Sequence, residues 1–354
     1  MTATRYGADR GAIEGLLADW GEPGYRARQV WEGLYRQRRP LDELTTLPGR
    51  CGPASPAPSP DALELRAEAV SSDGTTRWLW AAAHDGAQME AVLMPSLRRA
   101  TVCVSSQAGC AMGCTFCATG QAGFERHLTA GEIVEQVARA QHASPARVSH
   151  VVYMGMGEPL ANYDEVWASI ERLHHDFGIS ARGITLSTVG IVPGMRRLAQ
   201  ERLPVTLAVS LHAPDDALRE RLVPIDRRYP IAEVLDAARE CSTARGRRVT
   251  FEYACIAGVN DDPDRAGALA RLLRSFGGRG GAHVNVIPLN PTAGFTGRSP
   301  SDARVRAFAD RLRGLGIGVT VRRNRGSDVD AACGQLRARS PFLPSRPASA
   351  RMGP

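Results

Sequence analysis

Four of the chain's eight cysteines fall in one run, CVSSQAGCAMGCTFC, residues 103–117. Cys110, Cys114 and Cys117 are spaced CxxxCxxC, and Cys103 stands apart from them. Three thiolates in one short loop can hold three irons of a cubane and leave the fourth iron without a protein ligand. An open metal position suits chemistry, because a fully ligated structural site binds no substrate. The alternative is a zinc site closed by Cys103 or by a distant Cys or His. No second CxxC and no HxxxH is present to support it. Phe116, just before Cys117, suits an aromatic wall beside a cluster and equally suits plain packing. Cys51, Cys241 and Cys255 are isolated and read as small buried hydrophobes. Cys333 lies in a polar loop far down the chain.

The elements that must position this loop are legible from periodicity. Strand-like runs at TVCVSS, SHVVYMGM, GITLST, PVTLAVSL, RVTFEYACI, AHVNVIPL and IGVTVRR alternate with helical stretches near 130–142, 163–176, 192–201, 230–244, 263–276 and 301–314. That alternation predicts an α/β fold with a parallel sheet and right-handed crossovers. A full eight-fold barrel fits poorly; a partial (β/α)6 barrel or an open doubly wound sheet fits better. Either places a site at the C-terminal ends of the strands, where the CxxxCxxC loop falls.

Outside this region, residues 1–50 read as a small helical domain, and CGPASPAPSP (51–60) as a Pro/Ser/Ala linker. Asp-Gly pairs between alternating apolar runs make 61–95 a β-hairpin or meander extension. The main domain is expected over 96–325, a loop carrying Cys333 over 326–338 and a disordered tail over 339–354.

Composition is globular, at 43% hydrophobic and 23% charged. No apolar run is long enough to span a bilayer, and MTATRYGADRGAIEG lacks a signal-peptide core. The expectation is a cytoplasmic protein with reduced thiols, no membrane association and a monomeric state. The formal charge of +7 is carried by arginine alone, with no lysine, and is compatible with a polyanionic partner.

CxxxCxxC with an aromatic before its last cysteine resembles the radical S-adenosylmethionine enzymes. ATVCVSSQAGCAMGCTFCATGQAGFERHLTAGEIVEQV, VVYMGMGEPLANYDEV, ITLSTVGIVPGM, LAVSLHAP, NVIPLNP and RGSDVDAACGQL follow the order of the RlmN/Cfr family, which methylates adenine in ribosomal RNA. The resemblance runs from about residue 20 to 337 and implies the partial (β/α)6 barrel. It implies one 4Fe-4S cluster on Cys110, Cys114 and Cys117, and S-adenosylmethionine held by Gly157, Glu158, Ser187, Ser210, Leu211, His212 and Asn290. All seven lie at or just past predicted strand ends, so they converge on one mouth.

An adenine ring carbon is neither acidic nor nucleophilic, so ordinary methyl transfer cannot reach it. The family's solution maps onto Cys333, which takes a methyl group from one S-adenosylmethionine to become S-methylcysteine. A second S-adenosylmethionine is cleaved reductively, with an electron from a donor such as flavodoxin or ferredoxin, and its radical takes hydrogen from that methyl. The resulting carbon radical adds to adenine and joins protein to RNA. Cys103 then attacks the Cys333 sulfur, forming a transient disulfide and releasing methylated RNA. Glu90 matches the family's proton acceptor, with an exposed strand carboxylate as the bland alternative.

The target base must be withdrawn from its surroundings to meet Cys333. Tyr25, Arg26, Arg28, Arg36 and Arg38 are the expected RNA-docking residues, and Arg322, Arg323 and Arg325 could hold phosphates near the site; each patch could equally be surface charge. The resemblance favours methylation of C2 in 23S rRNA, with transfer RNA as a further substrate. A Cfr-type enzyme methylating C8 and conferring antibiotic resistance shares the motifs. A zinc-stabilised RNA-binding protein and a radical enzyme acting on a small molecule are the readings of other classes; paired Cys103 and Cys333 argue against the first, and the basic N-terminal segment against the second.

Overall fold

The computed structural model describes residues 4–37, 61–276, 281–322 and 325–336. The expected linker at 51–60 and tail at 339–354, together with Arg38, Cys51 and Arg323, lie outside the described residues.

Two helices open the chain, α1 (Arg10–Asp19) and α2 (Tyr25–Trp31), the second running into a π-helical turn. Strands β1 (Leu63–Val70), β2 (Thr76–Ala82) and β3 (Gln88–Pro95) form the expected meander, followed by β4 (Ala100–Cys103). A short ribbon of β5 (Gln107–Gly109) and β6 (Phe124–His127) brackets a one-turn helix, α3 (Ala118–Ala122). Regular alternation then begins: α4 (Ala130–Ala143), β7 (Val148–Tyr153), α5 (Tyr163–His175), β8 (Ile184–Thr188), α6 (Val192–Ala199) and β9 (Thr206–Ser210). It continues through α7 (Asp216–Leu222), α8 (Ile231–Arg245), β10 (Thr250–Cys255), α9 (Pro263–Leu273), β11 (His283–Pro288), α10 (Asp302–Gly314) and β12 (Gly318–Val321).

The strand order is β1-β2-β3-β4-β7-β8-β9-β10-β11-β12, parallel from β4 onward. Each parallel strand lies beside its predecessor, so every right-handed crossover steps in the same direction and leaves its helix on the same face. A doubly wound sheet reverses direction once and puts helices on both faces. The sequential order therefore selects the partial barrel, an α/β fold that among the described residues has seven parallel strands joined by six helical crossovers, α7 and α8 sharing the one from β9 to β10. The meander continues the same sheet, because β3 pairs antiparallel with β4 from Val92↔Cys103 to Pro95↔Ala100.

Local chemistry explains the elements. Helix α4 starts at a reciprocal capping box: Thr129 Oγ1 accepts from the Glu132 backbone N–H, and Glu132 accepts from that of Thr129. Asp215, Asp262 and Ser301 cap α7, α9 and α10. Helix α5 buries Val166, Trp167, Ile170 and Leu173 at helical spacing. Strand β10 is buried along nearly its whole length, as a central parallel strand must be.

The N-terminal helices share the barrel's hydrophobic core rather than standing apart from it. Tyr35 stacks on Trp31 and meets Tyr6 and Phe177 edge-on. Trp31 donates to Asp176 at 3.0 Å, and Arg172 to the Tyr6 carbonyl at 2.5 Å. Among the described residues no helix is long and apolar enough to cross a membrane.

Candidate functional site

The β5–β6 ribbon is the frame of the cysteine loop. Cys110 donates its backbone N–H to the Gly123 carbonyl at 2.7 Å, closing the loop's base. Gly109 has a φ of +75°, and a Cβ there would lie 2.1 Å from the Gly123 oxygen, so only glycine fits this crossing. At its far end Thr115 donates to the Leu222 carbonyl and Cys117 to that of Cys114.

Burial, then the charge of Glu158 and of Cys117, pushes the Cys110 thiol up to about 12, and burial, then Cys117 and Cys110, holds Cys114 well above its ordinary value. Buried thiols that resist ionisation alone are ionised by a metal, whose charge replaces the missing solvent. A single zinc ion would draw its thiolates to within about 4 Å of one another. Among the described residues no three Cys, His, Asp or Glu side chains converge to hold one ion. Cys110, Cys114 and Cys117 are the thiols on this loop that are available to a metal centre.

Beside this loop opens a cavity of about 160 Å³, lined by Cys114, Cys117, Phe116, Gly157, Glu158, Ser187, Ser210, His212, Asn290 and Cys333 among others. Glu158 is buried, and each carboxylate oxygen accepts one backbone N–H, from Leu160 at 3.0 Å and Val189 at 2.9 Å. Desolvation raises its pKa to about 7 against those bonds. Gly157 has a φ of +99°, and a Cβ there would meet Gln107 at 2.6 Å; its backbone is free to approach Gln107, whose side chain accepts from Glu158 N–H.

His212 is buried with a φ of +61°, a left-handed conformation uncommon for a non-glycine residue. Its Nδ1 accepts from the Ala254 N–H at 2.9 Å, which leaves Nε2 as the protonated nitrogen. Burial, then Arg219, depresses its pKa to about 3, so the ring is neutral. Phe116 packs edge-on against it, at 4.9 Å between centroids. Leu211 differs from its expected companions: its side chain faces the core, and only its backbone is near the site.

A second cavity, of about 470 Å³, adjoins the first, with Met154, Glu252, Ile287, Asn290 and Cys333 lining both. Cys103, Arg99, Arg322 and Arg325 line only the second. Cys333 thus stands at the junction, and Cys103 faces the same chamber from β4. Both are free thiols. Cys333 is accessible at the chamber surface yet ringed by protein, and desolvation, then the nearby Glu252, raises its pKa. Burial and the neighbouring Cys333 raise that of Cys103. The Cys333 loop is held by Asn290 Nδ2 donating to the Cys333 carbonyl at 3.0 Å and by Ala118 N–H donating to the Gly334 carbonyl at 2.8 Å.

Glu90 is not an exposed strand carboxylate. It is 1% exposed and forms a two-pronged pair with Arg77 at 2.7 and 3.0 Å, lining neither chamber. Of the N-terminal arginines, Arg28 and Arg36 are exposed, while Arg26 pairs with Glu22 and Gln29 and lies over the exposed Tyr25 ring. Cys241 and Cys255 are buried, as their isolation suggested.

Two buried charged residues beside the site escaped the sequence reading. Arg219 is fully buried; it pairs with Asp226 at 2.5 Å and donates to the Val189 and Leu211 carbonyls, tying together the loops after β8 and β9. Within DALRERL it looks like ordinary helix-surface charge, so no local signal marks it. Glu252, 4% exposed, accepts from Asn285 through Oε1, while Oε2 is buried with no partner among the described residues. A lone carboxylate inside the apolar strand TFEYAC was the available clue.

The Radical SAM superfamily matches residues 104–268. A Frankia alni protein described as "Probable dual-specificity RNA methyltransferase RlmN" is 53% identical over 335 residues, 90% of this chain and 79% of its own length. A Synechococcus elongatus protein with the same description is 49% identical and covers 91% of each chain. The crystal structure of a radical SAM methyltransferase from Sphaerobacter thermophilus superposes with a TM-score of 0.87 at 47% identity, covering 95% of this chain and 99% of the other.

Proposed function

The chain belongs to the RlmN family of radical SAM RNA methyltransferases, and from that premise we propose that it methylates C2 of an adenine in 23S rRNA, and in transfer RNA, through a methyl group carried on Cys333. The observation that carries this reading is the place of Cys333 at the junction of two chambers, one beside the cysteine loop and one rimmed by arginines. A carbon delivered from one chamber to a base in the other has to pass through that residue.

Cys110, Cys114 and Cys117 would hold a 4Fe-4S cluster, and the strand-end residues would hold S-adenosylmethionine. Together these groups supply the methyl group and the radical chemistry. Glu158 can accept from the cofactor's amine, and neutral His212 can donate through Nε2–H. Ser187, Ser210 and Asn290 offer uncharged donors and acceptors, and Leu211 its backbone. On the substrate side, Cys333 carries the carbon, and Cys103 is the thiol that attacks its sulfur to release the product. Glu90 is assigned as proton acceptor on the family's pattern; delivery to it would require Arg77 to share the carboxylate. An external one-electron carrier of the flavodoxin or ferredoxin class completes the reaction.

The test is anaerobic reconstitution with iron and sulfide, reaction with methyl-labelled S-adenosylmethionine and a 23S rRNA fragment, and mass spectrometry of the digested nucleosides. 2-Methyladenosine from the native chain and none from Cys333→Ala supports the reading. 8-Methyladenosine transfers the chain to C8 chemistry, and a zinc-loaded protein that leaves RNA unmodified overturns it.

A further inference from the structure

The lip of the second chamber is the turn joining β3 to β4, Ser96-Leu97-Arg98-Arg99. Its flanks line the chamber: Val92, Met94 and Ser96 on one side, Arg99, Thr101 and Cys103 on the other. The turn is closed by Ser96 N–H donating to the Arg99 carbonyl, and braced by Arg325 donating to the Pro95 carbonyl at 2.7 Å. At its tip stands Leu97, with a relative exposure of 102% against about 50% or less for the other exposed large apolar side chains.

A single exposed leucine needs no explanation on an ordinary surface. This one sits on a braced tip beside a chamber lined by Cys103 and Cys333. Arg98 and Arg99 are exposed, and neither forms an ion pair among the described residues. The tip presents an apolar point beside two exposed arginines, a pairing that suits a nucleic-acid backbone with a gap in its base stack.

We propose that Leu97 is a wedge that fills the gap left in the RNA when the target adenine enters the second chamber, with Arg98 and Arg99 neutralising the flanking phosphates. The inference rests on the RNA methyltransferase reading and assigns the step that reading needs but does not place. Enzymes that act on a base must take it out of the stack, and inserted apolar side chains offset the stacking that is lost. The arginines bind without reading sequence, so their contribution weakens with salt.

The experiment compares two RNAs carrying the same target adenine, one in a structured hairpin and one in a short unstructured oligonucleotide. Leu97→Gly lies at a fully exposed position and leaves the fold intact. It lowers kcat/KM on the hairpin by about tenfold while leaving the oligonucleotide unchanged, and Leu97→Met restores the hairpin rate. With 2-aminopurine at the target position of the hairpin, the native chain raises fluorescence on binding and Leu97→Gly does not. Equal effects on the two RNAs, or a fluorescence rise that survives Leu97→Gly, overturn the wedge. A native chain that methylates neither RNA overturns the underlying reading, and the fluorescence comparison then decides the wedge by itself.

Discussion

Asn290 donates from Nδ2 to the backbone carbonyl of Cys333 at 3.0 Å, so a residue lining both chambers also holds the loop of Cys333, the proposed methyl carrier. Asn290→Ala leaves that carbonyl unpaired and lets the loop drift. Misplacement on the ångström scale costs reactions heavily, and RNA methylation falls by about ten- to a hundredfold. Iron content and unfolding midpoint stay near native, which separates positioning from collapse.

Arg219 and Asp226 form a buried pair inside the clasp that joins the β8 and β9 loops. Arg219→Met leaves a carboxylate buried without its partner and destabilises the chain by about 3–5 kcal/mol. Burial already raises the Asp226 pKa. Without the guanidinium, Asp226 takes up a proton more readily, so the deficit shrinks as pH falls. Urea unfolding at pH 5 and pH 8 reads both the loss and its slope.

Glu158 has a pKa raised to about 7 in the fold, above its ordinary value of 4.5. The folded state therefore holds a proton that the unfolded state has lost between these values. Glu158's contribution to stability is full below 4.5 and is lost as pH rises through 7. Glu158→Gln cannot ionise, so its stability relative to the native chain improves from pH 5 to pH 8. Denaturant midpoints measured across that range for both proteins give the sign.

Glu252 carries a buried carboxylate oxygen without a partner among the described residues, beside Cys333 at the junction of the chambers. An unsatisfied buried group is costly, and Glu252→Gln stabilises the chain by roughly 1 kcal/mol above neutral pH. Its pKa is raised by burial, so the gain fades toward acid as the native carboxyl becomes protonated. RNA methylation by the same variant drops while its unfolding midpoint rises, the pattern of a group kept for function at a cost in stability. A variant that loses stability would show that Oε2 has a structural partner.

What was legible in the sequence was local. The spacing of Cys110, Cys114 and Cys117, the Asp-Gly turns of the meander and the alternating strand and helix periods each depend on residues close together in the chain. Among the described residues the seven parallel strands and six of the helices between them follow the expected boundaries to within a few residues, while α7 was not expected. The joining of β3 to β4, which makes the meander part of the barrel sheet and places Leu97 at the chamber lip, depends on pairing that periodicity does not encode. The burial of Arg219, and that of Glu90 against Arg77, went unread for the same reason. A charged side chain reads as solvent-facing until the tertiary fold supplies Asp226 or Arg77 to bury it against. Leu211 turns its side chain into the core, a distinction that a motif does not make.

The measurement that tests the central claim most directly is the fate of the RNA in a Cys103→Ala variant. If Cys333 carries the carbon and Cys103 releases it, the reconstituted variant accumulates a covalent protein–RNA adduct, and peptide mass spectrometry places the modified nucleotide on Cys333. The adduct is absent from Cys333→Ala. Free methylated RNA released at the native rate by Cys103→Ala, with no adduct, would contradict the account.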